Sequence, residues 1–140
     1  MPPAAADAWV AAKPASSCRA SRATVVAATT DSQWDSLVSA RSYLDAQTTL
    51  VITPVDMLPV SPATLASLIA AITPEIHAAT PTHHGRGGHP VVIRSHLLAL
   101  PGDSLRDRLT NAGAARARVT VDDASILTDL DTPADVAAIA

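Results

Sequence analysis

Phenylalanine is absent from this chain, and aromatic residues together make up only 2% of it. Any core must therefore be built from Val, Leu, Ile and Ala, the side chains that fill the space between a sheet and its covering helices. Hydrophobic residues reach 48% of the 140 positions, enough for a core in one domain, although much of that share is alanine. Cys18 is the only cysteine. An intramolecular disulfide is excluded, which fits a reducing, cytoplasmic setting. Basic residues are outnumbered, and the net charge is -3. The footprint expected for a nucleic-acid backbone is missing, apart from the short pairs Arg19 with Arg22 and Arg116 with Arg118. No segment offers the roughly 20 consecutive apolar residues of a membrane span. Residues 1–23 lack the apolar run of a signal peptide. They are rich in Ala, Pro and Ser without a clean period, and read as a disordered leader before a domain over 24–140.

What is present is an alternation of strand and helix patterns. Thr24–Ala28 reads as a short strand. Asp31 or Ser32 caps a helix reaching about Tyr43, with Trp34, Leu37, Val38 and Leu44 on its apolar side. Thr48–Thr53 is the strongest strand signal, and its continuous apolar run predicts cover on both faces. Pro54 ends regular pairing and leaves Val55 and Asp56 just past the strand. Ser61 caps and Pro62 opens the next helix. There Leu65, Leu68, Ile69 and Ile72 recur at helical spacing and should face the sheet, before Pro74 stops the helix.

In the second half, Ile76–Ala79 suggests a strand, Gly85–Gly88 a turn, and Pro90–Ile93 a strand with its proline at the start or edge. Leu97–Leu100 reads as a short helix or turn. Ser104–Asn111 is a helix stopped by Gly113, with Leu105 and Leu109 on one side. Ala117–Val121 alternates like a strand. Thr132 caps a last helix, with Pro133 at its first position and Asp135 near the positive end of its dipole. Strands alternating with helices imply an α/β sheet with right-handed crossovers.

Ligands of open α/β sheets sit beyond the carboxyl ends of the strands, which is where Asp56 lies. A carboxylate on a rigid strand end suits Mg²⁺, which takes hard oxygen ligands, usually about one or two carboxylates plus phosphate oxygens. The other reading of Asp56 is a loop aspartate that shapes a turn. His83, His84, His89 and His96 with Asp103 raise a zinc site as a rival. Their spacing matches no zinc pattern, and prolines and glycines interrupt the segment.

Three blocks resemble MobA-like NTP transferases. Residues Val51 to Leu65, with Asp56 followed by Met57-Leu58-Pro59 and the Ser61-Pro62 helix start, look like the family's central motif. Its usual Pro-Leu order after the aspartate is inverted here. Gly85-Arg86-Gly87-Gly88-His89-Pro90-Val91 is similar to its Gly-His-Pro segment, and Thr128 to Asp135 to its closing Asp-Thr-Pro-x-Asp segment. The branch it most resembles is the molybdenum cofactor cytidylyltransferases. The resemblance implies a three-layer Rossmann-like sheet and transfer of a nucleotidyl group from an NTP, CTP above all, to a small phosphate-bearing acceptor such as molybdopterin. It implies Asp56 as the Mg²⁺ ligand on the nucleotide phosphates, with Asp131 or Asp129 as a second ligand and Asp131 preferred. Arg86, Gly87, Gly88, His89 and Pro90 would line the acceptor side, and Ser36 matches a helix start against the base. The glycines would let backbone approach the ligand or form an anion-holding nest, with a plain hairpin turn as the alternative.

The family's opening glycine-rich loop, which wraps the nucleotide phosphates, has no counterpart. Ala15-Ser16-Ser17-Cys18-Arg19-Ala20-Ser21-Arg22 has serines and arginines but no glycine. The expectation is a domain lacking its first βα unit. That leaves two functions in competition: an active Mg-dependent nucleotidyltransferase, and an inactive truncated remnant or binding module whose missing elements a protein partner supplies.

Overall fold

The structure is a computed structural model describing residues 32–45, 47–100 and 102–139. The leader over 1–23, the strand at Thr24–Ala28, Asp31 and the segment Ala15–Arg22 lie outside the described residues. The chain divides into two compact units, Met1–Leu44 and Asp45–Ala140.

In the first unit, Ser32 caps helix α1 (Gln33–Ala40), its Oγ accepting the Asp35 N–H at 3.1 Å. This satisfies one of the orphan donors of the first turn. A 3-10 turn over Arg41–Tyr43 follows. Of the expected apolar side only Trp34 is buried, while Val38 is exposed.

The second unit carries the sheet. Its strands are β1 (Thr49–Ile52), β2 (Ala78–His83), β3 (Arg86–Gly87), β4 (Val91–Arg94) and β5 (Arg116–Thr120). The helices are α2 (Pro62–Ala70), α3 (Leu105–Asn111) and α4 (Pro133–Ala138). Short 3-10 turns cover Ser95–Ala99, Gly113–Ala115 and Ala124–Leu127. The fold is mixed α/β, a five-stranded sheet flanked by helices, consistent with a Rossmann-like nucleotidyltransferase. Strand–helix alternation predicts crossovers between parallel strands, and β1, β2 and β5 do run in the same direction, although β2 with β5 is the only directly paired parallel couple among the described strands. β1 with β4, β2 with β4 and β2 with β3 are antiparallel. β3 and β4 run the other way because the β2–β3 turn is too short for a crossover and can only reverse the chain.

β5 lines one edge of β2 over residues 78–82. The other edge is divided, β4 taking Ala78 and Ala79 and β3 taking Thr82 and His83. Pro81 has no N–H to donate, and sits in the gap between these two partners, where its carbonyl accepts the Gly88 N–H at 3.2 Å. A proline in a central strand is tolerable at such a break.

Pairing places Ala79 opposite Val92 and Pro81 opposite Val119, so these side chains share one face. Leu68 of α2 packs there on Ala79 and Val92, with Ala71, Ile72 and Val119 around them. The other face of β2 is more polar. Arg116 Nε and Nη2 donate to the buried Thr80 hydroxyl at 3.3 and 3.2 Å.

Two apolar expectations fail here. Ile69 is 46% exposed, and the buried pair on α2 is Thr64 with Leu68. Val51 is 45% exposed, so β1 is not covered on both faces. Both follow from the seat of α2, which lies over β2 and β4 and leaves β1 outside its shadow. A buried arginine was also unforeseen. Arg108 is 4% exposed, with Nη1 donating to the Ser104 carbonyl at 3.1 Å beside Gly102, where a Cβ would crowd the guanidinium. No helix among the described residues is long and apolar enough to cross a membrane.

Leu68→Ala should therefore destabilise the protein by about 2–5 kcal/mol. Ile69→Ala, its sequence neighbour, should cost about 1 kcal/mol or less. Urea denaturation of the two variants separates these outcomes.

Candidate functional site

β1 stops at Pro54, and a turn closed by the Met57 N–H on the Pro54 carbonyl at 3.3 Å carries Val55 and Asp56. Val55 is 96% exposed. The Asp56 carboxylate is exposed beside it. Residues 128–130 run back along this turn. Met57 and Asp129 form an antiparallel bridge, the Leu58 N–H donates to the Thr128 carbonyl at 3.1 Å, and the Leu130 N–H donates to the Asp56 carbonyl at 2.7 Å. This short ladder joins two segments far apart in the chain and brings Asp129 to the loop of Asp56.

His89 completes the cluster. Its N–H donates to the Ile126 carbonyl at 2.9 Å. Burial pushes its imidazole pKa down, against the opposing pull of the Asp129 and Asp56 charges. Desolvation winning over two negative neighbours favours a neutral ring. Its Nδ1 is buried with no hydrogen-bond partner among the described residues. Pro90, on the far side of a cis peptide from His89, is buried.

The glycine-rich segment is a hairpin. His84 and Gly85 both have positive φ, 47° and 78°, the signature of a two-residue turn whose twist matches the flanking strands. Arg86 and Gly87 lie exposed on its return strand. Glycine is demanded at Gly88 by the protein's own backbone: a Cβ there would run into the Ile126 carbonyl oxygen. Asp131 is exposed, and its N–H donates to Asp135 Oδ2 at 3.1 Å, next to the capping box of Thr132 and Asp135. Ser36 lies in α1 of the first unit, its hydroxyl donating to the Ser32 carbonyl at 3.2 Å.

The histidines of the zinc rival divide among different neighbours. His83 and His84 meet edge-on with centroids 4.1 Å apart, and His96 meets His77 at 4.8 Å. Among the described residues no group of three or more His, Cys, Asp or Glu side chains is arranged to hold a metal ion.

Asp123 escaped the sequence reading. Its Oδ2 accepts the Ser61 N–H at 2.9 Å and the Thr64 hydroxyl at 2.7 Å. Its Oδ1 accepts the Ser125 N–H at 3.1 Å and the Ser125 hydroxyl. The hydrogen bonds from the Ser125 hydroxyl, the Ser61 backbone and the Thr64 hydroxyl hold its carboxyl well below the usual carboxylate range. The local signal was there: an aspartate two residues before a serine forms such a turn readily. Its long-range half, to Ser61 and Thr64, left no trace in the pattern.

The family model of the MobA-like NTP transferase domain matches residues 2–126, and the chain belongs to that family. The match reaches back through the stretch read as a leader and ends before the Thr128 to Asp135 block. No curated protein matches the chain. The family implies a nucleotide substrate and generally uses a divalent metal ion.

Gly88→Ala should destabilise by about 1–3 kcal/mol through forced overpacking against a carbonyl. Gly87→Ala, whose nearest neighbour would be 3.9 Å away, should be nearly neutral in the same thermal melt. Asp123 ties stability to pH with a definite sign. Its folded pKa lies below the unfolded value of about 3.9, so its stabilisation is complete above that value and is lost as pH falls towards the folded one. The stability gap between wild type and Asp123→Asn should be smaller at pH 3 than at pH 7. Equal gaps in denaturant titrations at the two pH values would refute it.

Proposed function

We propose that this MobA-like NTP transferase acts as a magnesium-dependent nucleotidyltransferase, with Asp56 and Asp129 as its cation ligands. The observation that carries the reading is the ladder that sets the Asp56 turn against residues 128–130. The donor set fits the ion: exposed hard oxygens on two segments, leaving the remaining positions to water and phosphate. Asp129 takes precedence over Asp131 because it sits in the ladder, whereas Asp131 adjoins the cap of α4. A magnesium ion bound there would neutralise the triphosphate as charge develops on it.

In the reaction, an acceptor phosphate oxygen attacks the α-phosphorus of the NTP. The new P–O bond forms as the α–β bond breaks, and diphosphate leaves. CTP as donor and a molybdopterin-type acceptor are the pairing that the resemblance favours. Arg86, exposed on its hairpin, would contact acceptor phosphate, guanidinium being suited to bidentate contacts. Gly87, Gly88, His89 and Pro90 would form the adjoining wall. The protein would work in the cytoplasm.

One observation favours a second reading, an inactive remnant or partner-completed module that lacks the family's first βα unit. Ala15–Arg22 contains no glycine, and tight wrapping of phosphates by backbone is strained without it.

Calorimetry with CTP or GTP and Mg²⁺ decides. Wild type should bind one nucleotide in the presence of the ion, and Asp56→Ala should weaken that binding about a hundredfold, the loss expected when a ligand to a charge-dense ion is removed. A folded wild type with no detectable nucleotide binding would favour the remnant.

A further inference from the structure

Two segments build the candidate cation site, and neither belongs to the apolar cluster around Leu68. The first, Asp56 to Leu58, is followed three residues on by Ser61. The second, Thr128 to Leu130, is preceded three residues earlier by Ser125. Asp123 grips both of these serines, one oxygen to each segment: Oδ2 to Ser61 and Thr64 at the start of α2, Oδ1 to Ser125 at the start of the 3-10 turn. The 3-10 turn in turn offers the Ile126 carbonyl to His89. Asp123 is itself anchored to the sheet, since its chain neighbourhood is pinned by the Val121 N–H on the Thr82 carbonyl at 2.9 Å and by the buried Val121 side chain.

We infer that Asp123 is a positioning residue for the candidate cation site: it staples the start of α2 to the 3-10 turn and so fixes the ladder that sets the Asp56 turn against residues 128–130. The inference rests on the reading of Asp56 and Asp129 given above, but its first test does not. A carboxylate suits this place because both of its oxygens only accept, and four donors converge on it from two directions. An amide has one accepting oxygen. In Asp123→Asn one of the two segments meets an N–H where it had an oxygen, and the staple holds on one side only.

Amide hydrogen exchange on metal-free protein reads the ladder directly. In Asp123→Asn the Leu58 and Leu130 amides should exchange about tenfold faster than in wild type, while the amides of β4 keep their rates. Unchanged exchange at Leu58 and Leu130 overturns the inference. Electron paramagnetic resonance titration with Mn²⁺, a visible substitute for Mg²⁺, reads the consequence. The Mn²⁺ dissociation constant should rise about tenfold in Asp123→Asn. Leu68→Ala, which loosens the core and leaves the staple intact, should keep wild-type Mn²⁺ affinity. Equal loss in both variants would show that Asp123 acts only on stability, and overturns the inference too. If Asp123→Asn does not fold, Ser125→Ala and Ser125→Thr carry the same comparison: the first should lose Leu130 protection and the second, which keeps the hydroxyl, should regain it. Failure of threonine to restore protection that alanine removes counts against the staple. A wild type that takes up no Mn²⁺ would refute the cation reading alone, with the exchange result still deciding whether Asp123 holds the ladder.

Discussion

Between Ala78 and His83 the backbone has pairing partners on both edges while its side chains are buried from Ala78 to Thr82, and this double constraint sets where the rest of the second unit can go. A buried strand must find a partner for each N–H and C=O. β5 supplies them along one edge. On the other edge no single strand suffices, because Pro81 brings no N–H, and the chain solves this by dividing the edge between β4 and β3. Everything that crosses the break, Gly88, His89 and Pro90, is thereby delivered to one place beside the 3-10 turn of Ala124–Leu127.

The candidate site forms where that break meets the end of β1. Its acidic residues stay exposed, which keeps two like charges solvated when no cation neutralises them. The structural carboxylate behaves differently. Asp123 is satisfied by four hydrogen bonds and stays ionised in their field, an aspartate given over to architecture. The close approach of Gly88 to Ile126 fits the same plan. A glycine-rich segment that suggested contact with a ligand is required, at its tightest point, by contact with the protein's own backbone.

Much was legible residue by residue. Ser32, Ser61 and Thr132 cap helices as their sequence contexts predict, and Ser104, read as the first helical residue, caps one too; each accepts an N–H of its own first turn. Strands stand at Thr49–Ile52 and Val91–Arg94, close to where β-branched runs placed them. Errors arose where periodicity had to say which side of an element is covered. Ile69 and Val51 look as apolar as Leu68 and Val92, and only the seat of α2 distinguishes them. The hairpin was half legible, since a turn around Gly85 was expected but not the extension of β2 through Pro81 to His83.

The sequence by itself determined the local vocabulary: the caps, the prolines that end elements, the core chemistry of aliphatic side chains, and the likeness to a MobA-like NTP transferase. These depend on neighbours within a turn or a strand, and such interactions are written in short spacings. Tertiary structure alone decided the mixed sheet, the burial of Arg108, the pairing of Asp129 rather than Asp131 with the Asp56 loop, and the role of Asp123. Each of these joins residues tens of positions apart, through single hydrogen bonds or one close backbone approach. No periodic pattern encodes such a contact, because it exists only once the chain has closed on itself.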